Sequence, residues 1–154
     1  MATSEQWGQT VRGWKEAIDR WMRSPTPKAV MHVSIFFDLR AVYGDESLCQ
    51  QLQQHMLAGT TKNTIFLAAL AENVLAHTPP LGIFRRFLVE RNGEHKDSLN
   101  LKKRGILPII DIVRIHALAN GVSAVNTHER IAGLVQNRKL SIVDGRNLDD
   151  AFDY

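Results

Sequence analysis

With 154 residues, 44% of them hydrophobic and 23% charged, the chain has the size and balance of one folded domain, and intrinsic disorder is excluded. No apolar run approaches the roughly 18–20 residues of a membrane helix, and the N-terminus lacks the apolar stretch and cleavage site of a signal peptide. Cys49 stands alone, so there is no disulfide framework and a reducing cytoplasm is expected; the net charge of +3 is small for a nucleic-acid binder.

Trp7, Val11, Trp14, Ile18 and Trp21 recur at alternating spacings of four and three, which predicts a first helix with one aromatic and apolar stripe. Ser24-Pro25-Thr26-Pro27 breaks it. Thr26 suits an N-cap and Pro27 the first helical position, where a missing amide costs nothing. The second helix is expected to carry Val30, Val33, Phe37 and Ala41 and to end at Gly44. Asp45 then caps a third helix with Leu48, Leu52 and Met56, and a fourth follows Thr64 with Phe66, Leu67, Leu70, Val74 and Leu75. Thr78-Pro79-Pro80 stops that helix.

Around Asn92-Gly93, Phe87, Val89, Leu99 and Leu101 alternate with polar residues, so 84–103 reads as one irregular, hairpin-like insertion. A fifth helix is expected from about Gly105 to Ala119, stopped by Gly121. A sixth is opened by the capping box Asn126-x-x-Glu129 and carries Ile131, Leu134 and Val135. Ser141-x-x-Asp144 opens a short last helix with Leu148 and Phe152. The fold class is all-α: a bundle of six to seven helices forming a single domain over 1–154.

Catalytic signatures are missing. No two of the six histidines stand three or four apart, and no CxxC, HExxH, phosphate loop or dinucleotide fingerprint occurs. Cys49, beside Leu48 and Leu52, reads as a buried, inert thiol. Metal-dependent nucleotidyl transfer needs closely spaced carboxylates to hold Mg²⁺, and there is no Asp-x-Asp anywhere. The chain by itself is therefore not expected to be an enzyme or to hold a cofactor.

Charge is unevenly placed. Residues 85–104 carry seven basic side chains against three acidic ones. Lys102 and Arg104 stand just before the fifth helix, whose orphan amides suit a phosphate or carboxylate; a solvated basic loop is the plain alternative. Asp38 and Arg40 fall within an expected apolar helix, where charge is costly unless paired. Two residues apart, they point different ways, so each needs a partner on another helix or in a ligand. Asp111 and Arg114, three apart, can satisfy each other. Arg40 meeting Asp111, or Asp38 meeting Arg114, would join the four in one polar network.

The blocks FFDLRAVYGDESL (36–48), PPLGIFRRFLVERNGEHKDSLNLKKRGILPIIDIVRIHALANG (79–121) and NTHERI (126–131) resemble the nucleotidyltransferase substrate-binding domain family. In that family a helical domain follows a nucleotidyltransferase core in bacterial signal-transduction proteins that often carry cyclic-nucleotide-binding and cystathionine-β-synthase (CBS) modules. The resemblance runs from Trp7 to Phe152. A looser likeness, over about residues 99–114, is to the segment after the catalytic core in the adenylyl- and uridylyltransferases that regulate glutamine synthetase and the PII protein. The resemblance implies a non-catalytic domain, a fragment of a longer chain, that works beside a catalytic core in cis or trans. Mg²⁺ and a nucleoside triphosphate are then implied for the parent, and a nucleotide or protein is the expected substrate. Asp38, Arg40, Lys102, Arg104, Asp111 and Arg114 would form a charged wall of the cleft. The competing reading is a helical module for self-association, such as a homodimer, motivated by the tryptophan stripe. An RNA- or DNA-binding bundle ranks last, since few aromatics accompany the cations.

Overall fold

The computed structural model describes residues 7–76 and 105–153, which form seven helices with no strand among the described residues. They are α1 (Val11–Arg23), α2 (Pro27–Phe36), α3 (Glu46–Thr61), α4 (Thr64–Leu75), α5 (Leu107–Ala119), α6 (Thr127–Gln136) and α7 (Ile142–Asp153). The hairpin-like insertion at 84–103 and the Thr78-Pro79-Pro80 stop lie outside the described residues.

Capping residues account for the helix starts. The hydroxyl of Thr26 accepts from Ala29 N–H at 3.3 Å, with Pro27 in the first turn. Asp45 accepts from Ser47 N–H at 2.9 Å, and Asn126 accepts from His128 and Glu129 N–H at 2.9 and 3.4 Å. Ser141 closes its own pair with Asp144, accepting from its N–H and donating to its carboxylate. Asn63, one residue before Thr64, caps α4 by accepting from Phe66 N–H, and its side-chain amide donates to Met22 C=O at 3.1 Å. One side chain thus opens α4 and ties it to the end of α1. Each such bond satisfies a group the helix leaves without an internal partner.

Two apolar clusters share α5. The larger gathers Ile18, Met22, Val33, Phe36, Met56 and Phe66 from α1–α4, with Leu118 of α5. The smaller joins Ala117 of α5 to Val122 and Leu134. Consecutive residues of α5 therefore serve different cores, and α6 and α7 hang from its second face. Gly145 lets α7 approach: a Cβ there would stand 2.6 Å from Val135 Cγ2. His128 also holds α7, with Nδ1 2.8 Å from Asp149 and its ring edge-on to Phe152.

Several expectations are corrected. Trp7 precedes α1 rather than belonging to it. The three indoles are half-buried; Trp14 lies tilted with its ring 4.7 Å from Phe36 and Trp21 lies 5.0 Å from His32, so they form a packed aromatic seam between α1 and α2. Leu48 is exposed, and Cys49 is only half-buried. The largest departure is α2, which stops at Phe36 instead of Gly44. Gly44 sits in the following loop with φ +92, and Asp38 and Arg40 lie beyond the helix, not inside it.

The reason is a substitution of donors. A continued helix would give the Phe37 and Leu39 carbonyls N–H partners four residues on. Here Phe37 C=O accepts from the Arg130 side chain at 3.2 Å and Leu39 C=O from the Gln53 amide at 2.7 Å. Phe37 itself turns into the core against Phe66. Tertiary packing removes the need for another helical turn.

Candidate functional site

Four charged side chains meet where α2 ends. Arg130, on the first turns of α6, is 2% exposed, and its Nη2 donates to Asp38 at 2.7 Å as well as to Phe37 C=O. Its Nε donates to Ala124 C=O at 2.8 Å. The other Asp38 oxygen accepts from Arg114 Nη2 at 2.5 Å, and Arg114 Nη1 donates to Asp111 at 2.5 Å. The chain Arg130–Asp38–Arg114–Asp111 spans α6, the α2 end and α5, and its formal charges cancel.

Electrostatics explain the order. A carboxylate at a helix C-terminus meets the negative end of the dipole, so Asp38 is tolerable there only with cations beside it. Arg130 both neutralises it and caps the helix carbonyl. Burial pushes the Arg130 guanidinium below its ordinary value; Asp38 opposes that by its charge and hydrogen bond, and Arg114 adds a smaller repulsion. A guanidinium remains charged through such a shift, which is why arginine rather than lysine suits the position. Arg114 is 11% exposed, and its Nε is buried without a partner among the described residues. Asp38 and Asp111 keep about a third or more of their side-chain surface, 39% and 34%. The cluster therefore presents carboxylate edges outward and holds its cations inside.

Of the residues expected from sequence, Asp38, Asp111 and Arg114 come together. Asp38 does meet Arg114, and Asp111 and Arg114 do satisfy each other. Arg40 does not join them: it is exposed and makes no ion pair among the described residues, so its expected contact with Asp111 does not form. Lys102 and Arg104 lie outside the described residues. The helix they precede begins at Leu107, after one wider turn at Gly105 and Ile106, without a side-chain cap. Arg130 is the member that sequence reading missed. Thr127, Arg130, Ile131 and Leu134 are the buried residues of α6, so the arginine sits in phase with the apolar stripe. A charge on that stripe was the available signal.

These features define a class: an all-α domain with a buried, self-neutralised ion cluster and no Asp-x-Asp for binding a catalytic metal. Residues 64–154, which include α4 to α7 and therefore Asp111, Arg114 and Arg130, match the family model described as "Putative nucleotidyltransferase substrate binding domain". The chain belongs to that family. Neither the comparison with curated proteins nor that with solved structures gives a match.

Proposed function

We propose that this chain is the non-catalytic, substrate-binding part of a nucleotidyltransferase-type signal-transduction protein, working beside a catalytic core that supplies Mg²⁺. The observation that carries the reading is the family match over α4–α7, whose helices bring Asp111, Arg114 and Arg130 to the end of α2. The half-exposed carboxylates of Asp38 and Asp111, with exposed Arg40 on the adjacent loop, form the wall turned toward that core. We assign Lys102 and Arg104, which precede α5 in the sequence, to the cationic contacts with the substrate. A nucleotide or an acceptor protein is the substrate, and the chemistry of transfer belongs to the partner domain.

Isothermal titration with ATP, UTP, GTP and CTP, with and without a nucleotidyltransferase core in trans, tests this. Nucleotide affinity that rises when the core is added, and falls in Arg40→Ala, Lys102→Ala and Asp111→Ala, is the expected result. A domain that neither associates with the core nor changes its nucleotide affinity overturns the reading.

A further inference from the structure

Beside the ion cluster, lined in part by Phe37 and Arg130, lies a cleft of about 240 Å³ between α3 and the turn that leads into α6. Gln50, Gln53 and Gln54 line it from α3, at the i, i+3, i+4 spacing that puts them on one helical face. Ser123, Ala124 and Val125 line the opposite side, and among the described residues none of their backbone N–H groups has a hydrogen-bond acceptor. Arg130, 98% buried by its 2% exposure, reaches the same space. Its Nε and Nη2 are used, whereas its Nη1 donates to no described residue. Phe37, Met56 and Leu118 complete the cleft with apolar surface.

Ser123 is exposed and Ala124 and Val125 are half-buried, so their N–H groups stand open to a guest's acceptors rather than buried and unmatched. The space therefore suits an acceptor-rich guest. Its charge is constrained too. Among the described residues no acidic or lysine side chain lines the cleft, and Asp38 already balances Arg130. A polyphosphate would lose its hydration and find no free cation in return. An uncharged planar ring with carbonyl and ring-nitrogen acceptors fits better, since glutamine amides pair with the donor and acceptor edges of bases. Arg130 and the 123–125 amides meet its acceptors, and the apolar floor takes its face.

We infer that this cleft binds the base of a nucleoside, leaving sugar and phosphates to emerge toward solvent. The inference rests on the substrate-binding reading above and names the part of the substrate this chain holds. Every lining residue named belongs to this chain, so binding does not require the catalytic core.

The test is a titration of the domain with adenosine, guanosine, uridine and cytidine, followed by amide NMR, with inorganic tripolyphosphate as the phosphate-only probe. At least one nucleoside is expected to saturate shifts in the Gln50, Gln53 and Gln54 side-chain amides and in the 123–125 backbone. The double variant Gln50→Ala/Gln54→Ala sits on exposed helix positions and keeps its thermal midpoint. It is expected to weaken that nucleoside about tenfold or more. Tripolyphosphate leaves those signals unmoved. The inference is overturned by nucleosides that do not perturb the cleft at about 10 mM, where even millimolar affinity would show. It is also overturned by an affinity indifferent to the double variant, or by tripolyphosphate occupying the same residues. Any of these outcomes leaves the substrate-binding proposal to stand or fall on the core-dependent titration.

Discussion

Replacing Asp38 with alanine would strip Arg130 of its carboxylate partner while the guanidinium stays 2% exposed. Removing one member of a fully buried pair costs about 3–5 kcal/mol, because the remaining charge is left uncompensated. Two features reduce that figure. Asp38 is 39% exposed, so water already screens part of the interaction, and Arg114 retains Asp111. A loss of about 2–3 kcal/mol is therefore expected. At about 2–4 °C per kcal/mol for a chain of this length, the melting temperature falls by roughly 5–10 °C. Urea unfolding followed by far-UV circular dichroism measures the first figure and thermal melting the second. Asp111→Ala is the control: Arg114 still holds Asp38, and the loss is expected to be about 1 kcal/mol or less. Asp38→Ala costing no more than Asp111→Ala would refute the argument that the buried arginine depends on Asp38.

Asn63→Ala removes both the α4 cap and the bond to Met22 C=O, and about 1–2 kcal/mol should be lost in denaturant titration. Two of the helical glycines, Gly59 and Gly145, should respond differently to alanine. At Gly59 the new methyl meets the flexible end of Met22 at 2.7 Å, so stability stays level or rises by up to about 1 kcal/mol. At Gly145 it meets the branched Val135 at 2.6 Å, so α7 is displaced and about 1 kcal/mol is lost net of the propensity gain, read as faster amide exchange in α7. Asp45 is held below the usual carboxylate range by its side-chain and backbone hydrogen bonds with Ser47. Because its folded value is depressed, its cap is complete above the ordinary aspartate range and is lost as pH falls through the folded value. Amide exchange at the start of α3 should quicken there first, and an Asp45→Asn variant should flatten that dependence.

Local rules carried much of the helix plan. Thr26-Pro27, Asp45, Asn126 and Ser141 all open helices where their side chains predict, because a cap needs only the next two or three residues. Gly121 stops α5 with φ +71, a conformation costly to any residue with a Cβ. The end of α2 was not legible in the same way. Gly44 looked like its stop, yet the donors that end it come from Gln53 and Arg130, the latter 93 residues from Phe37. No window of sequence contains that information.

The same division runs through the candidate site. Asp111 and Arg114 could be paired from their spacing, since three residues along a helix brings side chains together. Asp38 with Arg114 was one of two open pairings, and only the meeting of the segment after α2 with α5 and α6 selected it over Arg40 with Asp111. Composition, periodicity and capping residues thus determined that the chain is helical and where most helices begin, because those signals act within one or two turns. Which charges are buried together, and which cleft their burial leaves beside α3, depended on contacts between distant segments. A charge's environment is set by what folds over it, and that is decided only when the helices pack.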